Sequence, residues 1–128
     1  KAYEFKKLVN ESIGIIISLA EHNGSYTSAF KNIYDWISVI EKTVWSNKPL
    51  ILLSTSDGQN AGNTVLQTAL SRFSRQSTIE IPHFALPKFN ENFSDTDGIT
   101  DKKLSEDLDK QISIFSRQVE NLLNSSNN

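Results

Sequence analysis

A chain of 128 residues that is 38% hydrophobic and 22% charged has the size and composition of one globular domain with its own core. A net charge of −2 offers no basic stripe for nucleic-acid phosphates or an anionic membrane, and the lack of cysteine removes disulfides, thiolate-bound zinc, iron–sulfur clusters and cysteine nucleophiles. No apolar run approaches the ~18 residues of a membrane span and the N-terminus lacks a signal-peptide core, so a soluble, cytoplasmic protein is expected.

From Lys1 to Asn10, Phe5, Leu8 and Val9 share one helical face, which predicts a short helix. Ile13 to Leu19 is almost continuously apolar and β-branched, the pattern of a strand buried on both faces. After Asn23-Gly24-Ser25, the steps of three and four between Ala29, Phe30, Ile33, Trp36, Ile37 and Ile40 predict a helix through about Lys42, with Trp36 in the core. Trp45 fits either core or surface. Leu50 to Leu53 again reads as a buried strand, and Val65, Leu66, Ala69, Leu70 and Phe73 predict a helix ending near Ser74. Thr78 to Ile81 alternates and predicts a third strand continuing toward Phe84, nearer an edge because Pro82 lacks a donor. Ala85 to Gly98 reads as a loop. Thr100 as N-cap and Asp101 in the first turn then open a helix with Leu104, Leu108, Ile112, Phe115, Val119 and Leu122 on one face, before a tail from Asn124 to Asn128 that should fray.

This alternation specifies a parallel sheet with right-handed crossovers and helices on both faces, in a single domain spanning residues 1–128. Three strands make a thin sheet, and a doubly buried strand at Ile13 to Leu19 requires a neighbour on each side. An upstream β-α-β unit or a second copy of the chain would supply it. The chain starts at Lys1 and contains no methionine, so an upstream segment is expected in the native protein.

Ligands of open parallel sheets sit at the carboxyl ends of the strands, which directs attention to two loops. Glu21, His22, Asn23, Gly24 and Ser25 combine exposed amides, a glycine for close approach and short polar side chains before a helix, suited to a planar polar ligand such as a flavin or nucleotide. The same residues also make an ordinary turn in which Asn23-Gly24 bends the chain and Ser25 caps the helix. The second loop, Ser54 to Asn63, exceeds the usual connection of about 2–6 residues, and its small polar residues, with Ser56, Asp57 and Gly58 foremost, favour a ligand-facing role. It lacks the lysine of a P-loop and the glycine frame of a nucleophile elbow. His22 and His83 stand apart from other ligating residues, so no metal site is expected, and no catalytic acid or base is singled out.

Several ordered motifs carry a family resemblance. Ala20-Glu21-His22-Asn23-Gly24-Ser25-Tyr26, then Lys31-Asn32 with Asp35-Trp36, then Lys48-Pro49 before the next strand and Ser54-Thr55-Ser56 with Gly58 and Gly62 after it, resemble the NAD(P)H-dependent FMN reductases of the flavodoxin-like superfamily. Phe84 to Phe93 is similar to a segment of one bacterial branch. The resemblance implies a flavodoxin-like three-layer sandwich lacking its N-terminal β-α-β portion, FMN as cofactor with NAD(P)H as co-substrate, and a small-molecule electron acceptor. It further implies a homodimer or homotetramer. In it, Glu21 to Tyr26 meets the isoalloxazine ring, Ser54 to Gly62 flanks it, and the FMN phosphate is held by the upstream segment. The chain departs from the pattern at Ala20, His22, Asp57, Asn60 and Ala61; the loss of the loop arginine weakens any claim to a phosphate of NADPH there. The alternative is a non-catalytic flavodoxin-like module for binding or oligomerisation.

Overall fold

The computed structural model describes residues 1–126. In chain order the elements are α1 (Ala2–Glu11), β1 (Ile15–Leu19), β2 (Glu21–His22), β3 (Ser25–Tyr26), α2 (Ser28–Ile40), β4 (Leu50–Thr55) and α3 (Asn63–Ser74). They are followed by β5 (His83–Leu86), α4 (Phe89–Asn92), β6 (Phe93–Ser94), β7 (Gly98–Ile99) and α5 (Lys102–Ser126). The main sheet is parallel throughout, in the order β1-β4-β5, with Ile15 opposite Leu50 and Leu52 opposite His83. Strands β2 and β3 form one antiparallel hairpin, and β6 and β7 another.

Alternation along the strands sorts side chains into two layers. Ile17, Leu19, Leu50 and Leu52 face α2 and α3 and join Tyr34, Ile37, Val65, Leu66, Ala69 and Phe73 in one core, which Val9 of α1 also enters. Helix α5 covers the other face, against β4 and β5. The result is the expected three-layer α/β sandwich around a parallel sheet. Gly14 permits the close approach of α5: a Cβ there would lie 2.9 Å from both Phe115 and Val119 side-chain atoms.

Several expectations are corrected. Strand β1 begins at Ile15 and is an edge strand of the described sheet, so Ile16 on the α5 side is 66% exposed and the segment is buried on one face only. The third strand starts after Pro82, not at Thr78, because proline has no N–H to give a ladder; its carbonyl instead accepts from Leu52 N. Residues 85–98 are not a plain loop: β5 runs to Leu86, and α4 with the β6–β7 hairpin occupies the rest. Trp36 is 60% exposed, whereas Tyr34 takes the core position beside Ile37, and Trp45 proves buried against Phe73. Helix α5 is capped by Asp101, whose carboxylate accepts from Leu104 N, one residue later than expected. The tail remains helical to Ser126; Asn127 and Asn128 lie outside the described residues.

Lysine 6 is the least expected member of the interior. It is 3% exposed, and its ammonium donates to Thr43 O at 2.7 Å, Val44 O at 2.9 Å and Ser46 Oγ at 2.7 Å, with Glu41 Oε2 at 3.3 Å. Three donors meet three acceptors, which is how a buried ammonium is tolerated. The connection between α2 and β4, which bends through positive φ at Ser46 and Asn47, is thereby tied to α1.

Candidate flavin site

The carboxyl ends of β1, β4 and β5 lie side by side, so the segments that follow them gather at one edge. The first is the β2–β3 hairpin. Asn23 and Gly24 both have positive φ, 52° and 75°, as the mirror-image two-residue turn requires, and Asn-Gly is the sequence best suited to it. Its two cross-strand pairs are Glu21 with Tyr26 and His22 with Ser25. The helix cap expected of Ser25 is supplied by Thr27, whose Oγ1 accepts from Phe30 N at 3.1 Å. Ser25 stays exposed, as do His22, Asn23 and Gly24.

The hairpin is rooted from below. The Tyr26 ring stacks on Phe30 at 5.1 Å, and Phe30 continues into Tyr34 and Trp45. Burial, helped by the neighbouring Tyr34, holds the Tyr26 phenol above its usual pKa despite the nearby Arg72, so it stays neutral.

Glu21 performs a task that local sequence does not announce. Helix α3 has Gly62 at its N-cap, with no side chain to cap it, and Glu21 Oε1 accepts from Val65 N at 2.7 Å across 44 positions of sequence. A carboxylate at a helix N-terminus meets both an unpaired N–H and the positive end of the dipole. The hairpin is thereby fastened to the helix that carries the second loop.

That second loop, residues 56–62, is braced internally. Ser54 Oγ donates to Ala61 O at 2.8 Å, Ser56 Oγ accepts from Gly58 N at 3.2 Å, and the carbonyls of Ser56 and Gly58 accept from Phe89 N and Lys88 N. Asp57 and Gly58 remain exposed, and Ser56 is half-buried. All eight sequence-predicted site residues therefore lie on two loops at one sheet edge. His83 is elsewhere, its Nδ1 3.0 Å from Ile81 O, and among the described residues no cluster of ligating side chains suits a metal.

Two concavities adjoin this edge. An apolar cleft of about 500 Å³ lies toward α5, between Leu53, Phe84, Leu86 and the stacked rings of Phe89 and Phe93, whose centroids are 4.8 Å apart. A larger, shallower polar groove of about 710 Å³ follows the outer side of α3 from Asn60 to Arg75. It is the surface of a single helix, open to solvent, and encloses nothing. The edge suits a planar ring better than a phosphate. Nothing lies within 4 Å of where a Gly24 side chain would stand, so a flat ligand can approach the backbone. In residues 20–27, 56–62 and 87–101 the one lysine or arginine is Lys88, with its ammonium 4.0 Å from Glu91.

The family model of the NADPH-dependent FMN reductases matches residues 1–91. The chain belongs to the NADPH-dependent FMN reductase family. This membership places it among NAD(P)H-dependent flavin oxidoreductases, with FMN as cofactor and NAD(P)H as electron donor. Among solved structures, FerB, a flavoenzyme NAD(P)H:(acceptor) oxidoreductase from Paracoccus denitrificans, is similar with a TM-score of 0.71 over 94% of this chain and 68% of that chain. At 19% identity the likeness is one of fold, flavodoxin-like in both. No curated protein matches the sequence. The matched residues of this FMN reductase family member include both loops and the Glu21–Val65 tie.

Proposed function

We propose that the protein transfers hydride from a nicotinamide to FMN and passes the electrons to a small-molecule acceptor, with the ring of FMN on Glu21, His22, Asn23, Gly24 and Ser25 and flanked by Ser56, Asp57 and Gly58. The observation that carries this reading is the exposed Asn23-Gly24 tip, rooted by Tyr26 and tied by Glu21 to the helix beyond the second loop, in a chain of this family. FMN, when bound, supplies the hydride chemistry, so the protein need contribute no titrating acid or base. Its residues bind and orient. Main-chain N–H groups of the tip and the Asn23 amide donate to the polar edge of the ring, and the braced second loop limits its tilt. Glu21 acts at one remove, by fixing where the hairpin stands.

Self-association belongs to the same proposal. Trp36 and Val39, one turn apart on the outer side of α2, are 60% and 78% exposed beside the intrahelical Lys31–Asp35 ion pair, an apolar patch with a polar border suited to a second copy of the chain. Among the described residues no helix is long and apolar enough to cross a membrane, and a cytoplasmic setting is part of the proposal.

A second reading, a non-catalytic module, draws on the shortage of cations: neither loop carries lysine or arginine. The full-length protein mixed with FMN and passed through a desalting column separates the two. A yellow protein that oxidises NADH or NADPH when an acceptor such as a quinone is added is the expected result, with light scattering of the same sample showing a dimer or larger. A colourless protein with no nicotinamide oxidation would overturn the reductase in favour of the module.

A further inference from the structure

The ring loop carries a chemical liability. We propose that Asn23-Gly24 is a site of spontaneous deamidation through a succinimide, and, resting on the FMN reading above, that a ring seated on the hairpin holds the reaction back. The chain contains three pairs in which glycine follows asparagine or aspartate, at residues 23–24, 57–58 and 97–98. Glycine matters because it puts no side chain in the way of its own nitrogen as a nucleophile. The three pairs differ in how they are held. Gly58 N donates to Ser56 Oγ at 3.2 Å while Gly58 O accepts from Lys88 N, and Gly98 is paired with Ser94 in the β6–β7 ladder. Gly24, like Gly98, has nothing within 4 Å of its missing side chain, but Asn23 and Gly24 are both exposed and outside any ladder pair, whereas Gly98 is half-buried. Position 23 is also the one member of the three with an amide, whose ammonia leaves more readily than the hydroxide an aspartate must expel.

Closure requires the Asn23 backbone to rotate out of the turn so that Gly24 N faces Asn23 Cγ. Asn23 and Gly24 lie beyond the two residue pairs of the hairpin, so the tip can open at little cost while Glu21 and Tyr26 keep its base anchored. Once its proton is taken by solvent base, Gly24 N forms a bond to Asn23 Cγ; the Cγ–Nδ2 bond breaks and Nδ2 leaves as ammonia. Water then adds at Cγ, restoring the normal peptide with aspartate, or at the Asn23 backbone carbonyl carbon, leaving the chain to run through Cγ as isoaspartate. One water enters, one ammonia departs, and no electrons are exchanged. The product carries a negative charge and no amide donor, and isoaspartate adds a methylene that the two-residue turn cannot accommodate. Deamidation would therefore disable the loop without unfolding the core.

The test is incubation of the full chain in heavy-oxygen water at mildly alkaline pH, followed by peptide mapping, with and without saturating FMN. Label should enter at Asn23 an order of magnitude faster than at the exposed Asn90 or Asn121, increase with pH, vanish at this position in Asn23→Gln, and slow several-fold with FMN. Labelling at Asn23 no faster than at Asn90 and Asn121 would overturn the proposal. Fast labelling that FMN leaves unchanged, in a sample shown by its colour to hold FMN, would uphold the modification and overturn the protection, moving the ring off this hairpin.

Discussion

Replacing Lys6 by methionine is expected to lower stability by about 3 kcal/mol, because three hydrogen bonds from a buried ammonium disappear and the carbonyls of Thr43 and Val44 lose their donor. Methionine matches the apolar stem, so the loss isolates the ammonium from its packing. Glu41 is about half exposed and is re-solvated when its partner goes, which keeps the effect below that of breaking a fully buried ion pair. Chemical denaturation checks it: the urea midpoint should fall with an unchanged slope. A midpoint shift too small to resolve would mean that the α2–β4 connection holds its shape without α1.

The second large effect concerns binding. Glu21→Ala removes the acceptor for Val65 N and frees the hairpin from α3, with an expected loss of about 1–2 kcal/mol in stability and about tenfold or more in FMN affinity. Glu21→Gln keeps an oxygen in place and should restore most of the stability and most of the affinity. The comparison separates a hydrogen bond from a charge: if Gln behaves as Ala does, the carboxylate charge at the helix N-terminus is what matters. Unchanged FMN affinity in Glu21→Ala would show that the hairpin keeps its place without this tie. Fluorescence titration of FMN gives the affinity and thermal unfolding gives the stability.

Local pattern was sufficient where local physics decides. The β-branched run at Ile13–Leu19, the apolar Leu50–Leu53 and the stripe from Val65 to Phe73 became strand, strand and helix within about two residues of the boundaries their pattern predicts. It misled where a neighbour decides. Thr78 to Ile81 has the right alternation, yet pairing with β4 begins only at His83. The broad apolar stripe on α2 gave Trp36 to the core because its position repeats correctly, while Tyr34, which lies outside that stripe, packs against Phe73 at 5.4 Å. The site divides in the same way. Asn23-Gly24 carries a readable hairpin signal, and both loops were legible as loops at a strand edge. The tie that Glu21, itself a residue of the first candidate loop, makes to Val65 and the burial of Lys6 were not, since their partners lie 44 and 37–40 positions away and no spacing rule reaches that far.

The central claim is that FMN rests on the β2–β3 hairpin and beside the second loop. Hydrogen–deuterium exchange of the full-length protein with and without FMN tests it most directly, because residues 22–25 are exposed and Asn23 and Gly24 lie in the turn outside the ladder pairs, where exchange in the free protein should be fast. The account predicts that FMN slows exchange at residues 21–26 and 56–62 and leaves the outer side of α3 unchanged. Protection confined to the cleft around Phe84, Phe89 and Phe93, with the hairpin still exchanging freely in FMN-loaded protein, would contradict it.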